Sequence, residues 1–175
     1  MVAVHTFEVY PTVEELNEAV GRAFLARLST LIDEAGADSR VNLAISGGAI
    51  TTSLLPSLLP FVGDVDWSRV RVWLVDERYV PAGDEDRNDD QAWEGFLHAA
   101  SGVEFVRMPS SDASAPGAGS LDKATAEFAD TWHELMGERS FDIAVIGMGP
   151  DGHICSLFPG RVDMDEASPI LAIRN

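Results

Sequence analysis

The alternation of short apolar runs with helical patterns constrains the fold of this chain more than any other feature. The runs cover Val41–Ile45, Val70–Val75, residues 103–108 and Phe141–Gly147. In the segments before and between these runs, apolar residues recur every three to four positions, which predicts helices. The predicted helices cover residues 12–36, 49–59, 88–100 and 121–136. This order predicts an α/β, Rossmann-like three-layer fold, with a mostly parallel central sheet and helices on both faces.

The first predicted helix has clear start and stop signals. Thr12 and Glu15 match a capping box, in which both side chains accept hydrogen bonds from free backbone N–H groups. Gly36 is a natural stop because glycine readily leaves the helical conformation. The apolar face predicted for this helix consists of Val13, Leu16, Val20, Phe24, Leu28 and Leu31.

The chain is strongly acidic, with 29 Asp and Glu against 12 Lys and Arg, and a net charge of −17. This charge repels nucleic acids and anionic membranes, so we expect neither as a partner. It also opposes any anionic ligand, so a site for one would need donors and positive charge concentrated in one pocket. The sequence indicates no oligomeric state.

Length and cysteine content favour a single cytoplasmic domain. The 175 residues fit one domain, and residues 110–120, rich in Ser, Ala, Gly and Pro, read as a loop within it. Cys155 is the one cysteine, which excludes an internal disulfide. We find no signal-peptide pattern and no apolar stretch of the roughly 20 residues that span a bilayer. We therefore expect residues 1–175 to form one cytoplasmic domain.

Three polar motifs follow predicted strands. They are Ser46-Gly47-Gly48-Ala49, Asp76-Glu77-Arg78 and the turn from Gly149 to His153. Ligands bind outside the carboxyl ends of parallel strands, so we expect the motifs to converge on one site. The glycines of the first motif suit a phosphate held by helix N-terminal N–H groups, although a plain tight turn also fits. Arg78 either contacts a substrate anion or pairs with Asp76.

Two apparent cofactor motifs fail when their contexts are considered. Gly147-x-Gly149-x-x-Gly152 matches the dinucleotide fingerprint, but Pro159-Gly160 leaves no room for the helix that binds pyrophosphate. Asp84-x-Asp86-x-Asn88 begins like a calcium loop, but Asp89 and Gly95 stand where glycine and glutamate are required. We expect neither a metal nor a cofactor.

His153 is the strongest candidate for proton transfer, because imidazole exchanges protons near neutral pH. A structural histidine that bonds the backbone fits its spacing equally well. Cys155 lies two residues away, a spacing that does not bring side chains together on a helical turn, so we expect a buried small residue rather than a nucleophile. The Gly-x-Ser-x-Gly pattern of serine hydrolases is absent.

Together the motifs resemble the 6-phosphogluconolactonase family over nearly the whole chain. The matching segments are Ser46-Gly47-Gly48-Ala49-Ile50-Thr51, Asp76-Glu77-Arg78-Tyr79-Val80-Pro81 leading to Asn88, and Gly147 through Gly160. The resemblance implies that His153 and Asp151 are catalytic. The substrate- and phosphate-binding residues that it implies are Ser46, Gly47, Gly48, Ala49, Asp76, Arg78, Asn88, Gly149 and Gly152.

The chain departs from the family pattern at two binding positions. Ala49 replaces a serine, which leaves backbone N–H groups and Thr51 or Thr52 to hold phosphate. Arg87 stands where the family has a serine before Asn88.

The sister family of glucosamine-6-phosphate deaminases shares the Asp-Gly-His-Ile element, which here ends at Ile154. It continues with Ala-Phe-Asn-Glu-Pro, where this chain has Cys155-Ser156-Leu157-Phe158-Pro159, and it has Asp-Glu-Tyr in place of Asp76-Glu77-Arg78.

The resemblance implies hydrolysis of 6-phospho-D-glucono-1,5-lactone to 6-phosphogluconate, with a small sugar phosphate as the partner. His153 would act as general base on water, and Asp151 would orient it. A deaminase or isomerase and a non-catalytic sugar-phosphate sensor remain the alternatives. Family members continue with a further strand-helix portion, whereas this sequence stops in residues 170–175, which read as a strand, so we expect the domain to be C-terminally incomplete.

Overall fold

The computed structural model describes residues 7–112, 119–160 and 168–174. The strands are β1 (Val41–Ile45), β2 (Val70–Leu74), β3 (Glu104–Val106) and β4 (Ile143–Val145). The helices are α1 (Val13–Glu34), a π-helical turn (Ile50–Leu54) that continues into α2 (Leu55–Ser57), α3 (Asn88–Gly95) and α4 (Leu121–Met136). Short 3₁₀ helices cover Leu59–Asp64, Trp67–Arg69 and Leu97–Ala99.

The four strands form one sheet in the order β3-β2-β1-β4, and every neighbouring pair is parallel. β1 is central: Leu43 pairs with Val72 of β2 on one side and with Ile143 of β4 on the other. Polar turns after β1, β2 and β4 therefore emerge at the same edge of the sheet.

Helices cover both faces of this sheet. On one face Leu43 and Val72 pack with α1 and α3 in the main core, which includes Leu28 and Phe96. On the other face Trp73 packs against α4 through Phe128 and Met136. The predicted α/β fold with a parallel sheet and helices on both faces is confirmed.

Half of the predicted capping box forms at the start of the first helix. The Thr12 hydroxyl accepts a hydrogen bond from the Glu15 N–H at 3.1 Å, but the Glu15 carboxylate accepts none from the Thr12 N–H. The predicted apolar face of this helix is buried at Phe24 and Leu28, but Val13 and Leu16 are exposed. The first turn of α1 therefore extends beyond the core that the rest of the helix covers.

Two predicted helices differ from the structure. The helix expected over 49–59 opens with a π-helical turn that the Leu55 N–H closes on the Ile50 carbonyl; Pro56, which lacks an N–H, follows directly. The helix expected over 88–100 stops at Gly95 and resumes as a 3₁₀ turn.

The strand expected at the end of the chain is wrong for residues 170–174, which join no strand of the sheet; residue 175 lies outside the described residues. An apolar segment becomes a strand only where backbone groups pair, and here Ile170 packs instead on the Trp73 cluster. Part of the loop expected over 110–120 also lies outside the described residues. Within the described ranges, no helix combines the length and apolar character needed to cross a membrane.

Candidate active site

A cavity of about 400 Å³ lies at the carboxyl ends of β1, β2 and β4. The polar motifs that follow these strands meet there, as expected. The predicted site residues that line it are Ser46, Gly47, Gly48, Ala49, Asp76, Arg78, Asn88, Gly149 and His153. Of the predicted site residues, Asp151 and Gly152 do not line the cavity but shape the turn that holds His153.

The turn after β1 presents backbone donors to this cavity. The N–H groups of Gly47 and Gly48 donate to no described residue. A Cβ at Gly47 would lie 1.9 Å from the Asn88 side-chain oxygen, so a larger residue would displace Asn88. Gly48 has φ +64°, which favours glycine. The turn thus suits an anion that approaches the backbone closely.

The hydroxyls of Thr51 and Thr52 do not take the place of the serine that Ala49 replaces. Both donate to the Gly48 carbonyl, at 3.0 and 2.9 Å, and neither residue lines the cavity. Their hydrogen bonds fix the turn instead. An anion at this position would depend on backbone N–H groups and on side chains from other loops.

Ser46 joins two of the strand ends. Its backbone N–H donates to the Val145 carbonyl, and its hydroxyl accepts from the Gly147 N–H at 2.9 Å. Ser46 therefore sets the spacing between the turn after β1 and the turn after β4.

Asp76 and Ser156 connect the second and third motifs across the cavity. The Ser156 hydroxyl donates to Asp76 Oδ2 at 2.7 Å, although 80 residues separate them in sequence. Asn88 is held from the same strand end, because its side-chain amide donates to the Asp76 carbonyl at 3.2 Å. All three residues line the cavity and present polar atoms to a ligand.

Arg78 is exposed, and its guanidinium forms no hydrogen bond or ion pair with any described residue. The sequence left open whether Arg78 pairs with Asp76, and in the described structure it does not. Its positive charge is therefore available to an anion in the cavity that it lines.

The side chain of Glu77 is buried, unlike that of Arg78, and it caps the start of α3. Its carboxylate accepts hydrogen bonds from the backbone N–H groups of Asn88 and Asp89, each at 2.9 Å, and of Arg78 at 2.7 Å. Burial raises the pKa of Glu77 above its ordinary value, although these N–H groups oppose the shift. Because unpaired charges are not buried, a charged triplet after a strand is expected to face solvent or a cleft. Glu77 departs from this expectation because α3 supplies partners that allow its burial.

Arg87 completes this buried network. Its guanidinium donates to both carboxylate oxygens of Asp89, each at 2.8 Å, and lies 3.8 Å from Glu77. Burial by itself would raise the pKa of Asp89, but the hydrogen bonds and charge of Arg87 outweigh it and hold that pKa below its ordinary value. Arg87 also donates to the Met108 carbonyl at 2.9 Å. It therefore anchors loops beneath the cavity and is not among the cavity's lining residues.

His153 lies on the turn after β4, with its imidazole about one-third exposed. Its Nδ1 lies 2.5 Å from Asp151 Oδ1, and its ring stacks obliquely on Phe158 with 5.0 Å between ring centres. A Cβ at Gly149 would lie 2.1 Å from the imidazole, so glycine is required beneath it. The hydrogen bond from His153 lowers the pKa of Asp151. With a proton on Nδ1 shared with this carboxylate, Nε2 is the ring atom left to accept another.

Cys155 differs from the expectation of a buried small residue, because it is only half-buried and lines the cavity. Burial, with the charge of Asp76, raises the pKa of its thiol to about 11. A neutral thiol is a poor nucleophile, so the structure gives Cys155 no catalytic activation.

The dinucleotide alternative lacks its structural context. Residues 153–160 form turns and a single β-bridge, with no helix behind Gly152 to receive a pyrophosphate. Among the described residues, no group of three or more His, Cys, Asp or Glu is placed to hold a metal ion.

The sequence reasoning missed several residues that shape this cavity. Met148, Pro150, Ser156 and Phe158 all line it. Ser156 and Phe158 stand in the motif that the family resemblance rests on, which was the one available signal.

Comparisons with known proteins agree with this geometry. Residues 11–175 match the model of the family described as glucosamine-6-phosphate isomerases/6-phosphogluconolactonase. The chain is 32% identical over 167 residues to a 6-phosphogluconolactonase of Mycobacterium leprae, covering 89% of this chain and 65% of that protein. It is 30% identical over 176 residues to a probable 6-phosphogluconolactonase of Arabidopsis thaliana, covering 93% of this chain and 66% of the relative.

Solved structures show the same fold. A 6-phosphogluconolactonase from Shewanella baltica superposes with a TM-score of 0.71 and 26% identity, covering 89% of this chain and 61% of the other. The chain thus spans 61–66% of the length of these three proteins. With its parallel sheet, its three convergent turns and a family match over residues 11–175, the chain belongs to the glucosamine-6-phosphate isomerase/6-phosphogluconolactonase family.

Proposed function

We propose that this protein hydrolyses 6-phospho-D-glucono-1,5-lactone to 6-phosphogluconate. The observation that carries the proposal is that the cavity is lined by the His153 imidazole, which the Asp151 carboxylate holds, and by backbone donors and a guanidinium that have no partner among the described residues. The relatives named above are 6-phosphogluconolactonases, which supports this substrate. A single cytoplasmic catalytic domain, as expected from the sequence, is part of the proposal.

In the proposed reaction His153 acts first as a base and then as an acid. Nε2 takes a proton from a water molecule as the water oxygen bonds to the lactone carbonyl carbon. When the tetrahedral intermediate collapses, the bond from that carbon to the ring oxygen breaks, and His153 returns the proton to the ring oxygen. The carboxylic acid product then loses its proton to solvent. Asp151 keeps the Nδ1 proton in place throughout.

The phosphate of the substrate is assigned to the turn after β1. The N–H groups of Gly47 and Gly48 would donate to its oxygens, and Arg78 would supply positive charge at this cavity. Ala49 would contribute only its backbone. Charge-assisted bonds of this kind also place the carbonyl carbon relative to His153.

Asp76 and Asn88 are assigned to the sugar hydroxyls. Ser156 occupies one oxygen of the Asp76 carboxylate, which leaves the other free to accept from a hydroxyl. The amide of Asn88 is already oriented by the Asp76 carbonyl. Gly149 leaves room for the His153 imidazole, and Gly152, with φ +88°, allows the turn that holds His153.

The test is a substrate panel with the 175-residue chain at catalytic concentration. We expect acid release from the phosphorylated lactone well above its spontaneous hydrolysis, and a much slower reaction with the unphosphorylated lactone, which cannot engage Arg78. Equal rates on the two lactones would contradict the phosphate assignment. Ammonia release from glucosamine 6-phosphate would establish the deaminase alternative, and binding of 6-phosphogluconate without lactone turnover would establish a sensor.

A further inference from the structure

A second cavity, of about 350 Å³, lies at the opposite end of the sheet and is rich in arginine. Arg40 precedes β1, Arg69 and Arg71 stand at the start of β2, and Arg139 lies in the connection from α4 to β4. We call it the arginine cavity. These four residues are a third of the 12 Lys and Arg in a chain of net charge −17, so their convergence is a marked concentration of positive charge.

Backbone carbonyls hold each of these guanidinium groups in place. Arg69 donates to the carbonyls of Gly36 and Ser39, at 2.7 and 3.1 Å. Arg71 and Arg139 share the Leu135 carbonyl at the end of α4, at 3.1 and 2.7 Å.

Arg40 donates through Nε to the Ser68 carbonyl at 3.1 Å. These bonds account for the arginines as caps of helix ends and loops. They do not use all of the donors.

One terminal nitrogen of every arginine in the cavity remains without a hydrogen bond to any described residue. These atoms are Nη2 of Arg40, Nη1 of Arg69, Nη2 of Arg71 and Nη1 of Arg139. Because the other nitrogens are anchored, the groups lose little conformational freedom when a ligand binds.

Nearby carboxylates only partly balance the charge. Glu104 bridges Arg40 and Arg71, and Asp38 lines the cavity. The four guanidinium groups therefore exceed these two carboxylates by two. Glu34 and Asp142 line an adjoining cavity with Arg40 and Arg139, but Glu34 pairs with Arg27 and Asp142 accepts from the Asn42 N–H. The bridge to Glu104 draws Arg40 and Arg71 together, so an anion in the cavity would meet more than one guanidinium group.

We propose that the arginine cavity binds a small molecule bearing phosphate groups. Guanidinium forks match the oxygens of phosphate better than a compact ammonium does, and the volume lies in the range of small-molecule sites. The site is separate from the proposed active site, since the five residues of β1 span roughly 15 Å between the two ends of the sheet. A phosphorylated metabolite would thus bind without occupying the catalytic cavity.

The experiment is a calorimetric titration of the 175-residue chain with pyrophosphate, in an Arg78→Gln background that weakens binding at the proposed active site. The test variant carries Arg40→Gln and Arg139→Gln. The control carries Arg22→Gln and Arg27→Gln, two exposed arginines of α1 whose loss changes the net charge equally. We expect the affinity for pyrophosphate to fall about 10-fold or more in the test variant and by less than about twofold in the control.

Thermal unfolding checks that both variants fold. If the variant with Arg40→Gln and Arg139→Gln does not fold, the same titration is made with Arg40→Lys and Arg139→Lys. We expect its affinity for pyrophosphate to be at least about threefold weaker than that of the parent, because lysine lacks the guanidinium fork. The proposal is overturned by absence of saturable binding, by equal losses in test and control variants, or by unchanged affinity in the lysine pair. Citrate bound as tightly as pyrophosphate, or an arginine-dependent self-association in sedimentation, would also overturn it.

Discussion

The loops that follow β2 and β4 meet at one cavity, yet they are stabilised in opposite ways. After β2, Glu77, Arg87 and Asp89 are buried with nearly every charge paired. After β4, His153 and Asp151 are substantially exposed and are held mainly by each other and by glycine turns. One loop is thus part of the protein's framework, and the other presents a side chain that is free to exchange protons.

The difference indicates how an acidic chain can host a site for an anion. In the buried network after β2, the carboxylates of Glu77 and Asp89 pair with Arg87. Arg78 lines the cavity and has no partner among the described residues, so its charge remains available to an anion. We expect substitutions after β2 to act on stability or substrate binding, and substitutions after β4 to act on the chemical step.

Arg87→Met is expected to have the largest effect on stability. Removing the guanidinium leaves the Asp89 carboxylate buried without its bidentate partner, which costs about 3–5 kcal/mol of unfolding free energy. Urea denaturation measures this loss of unfolding free energy. The matched control is Arg107→Met, which removes a half-exposed partner of the same Asp89 and should cost less than about 1 kcal/mol. Equal losses would show that the buried network is not what stabilises this loop.

Arg78→Gln should raise KM for the phosphorylated lactone by about 10- to 100-fold, the range expected for a lost charge-assisted hydrogen bond. Unfolding free energy should hardly change, because the Arg78 guanidinium forms no hydrogen bond or ion pair with a described residue. Steady-state kinetics check both parameters, with Arg22→Gln as a surface control. A fall in kcat at constant KM would instead assign Arg78 to the chemical step.

Asp151→Asn should lower kcat by about 10-fold without affecting KM, because an amide can donate to Nδ1 and thereby move the ring proton to Nε2. The hydrogen bond from His153 also holds the pKa of Asp151 below its ordinary value, so any stability from this pair is present near neutrality and lost as the pH falls through that lowered pKa. Unchanged kcat in the variant would remove Asp151 from the mechanism.

Cys155→Ala should have the smallest effect, with activity within about twofold of the wild type. With a thiol pKa of about 11, about one molecule in 10⁴ carries the thiolate at pH 7, so iodoacetamide should react slowly. Rapid inactivation by alkylation at pH 7, or loss of activity in the alanine variant, would contradict this reading.

The sequence was sufficient for the elements that rest on local pattern. α4 has the predicted bounds, and the Thr12 cap forms as expected. The turns after β1, β2 and β4 converge because parallel strands place their carboxyl ends together, which requires no knowledge of distant contacts.

Contacts between distant segments could not be predicted. Ser156 reaches Asp76 across 80 residues, and the burial of Glu77 depends on N–H groups of a helix that begins 11 residues later. The arginine cavity has no motif at all, because Arg40 and Arg139 come together only through the sheet. Pairing of this kind is a property of the tertiary structure, and no spacing in the chain encodes it.

The central claim is that the loop after β4 carries the chemical step, whereas the loop after β2 stabilises the fold. Its most direct test measures kcat and unfolding free energy on the same preparation of His153→Gln. The control is His133→Gln, whose imidazole contacts the Ala129 carbonyl on the exposed side of α4. We predict that kcat for the lactone falls by roughly 10²-fold in His153→Gln, the loss expected for a general base, while its unfolding free energy stays within about 0.5 kcal/mol of the wild type. A kcat within about threefold of the wild type, or a parallel loss of stability, would contradict the account.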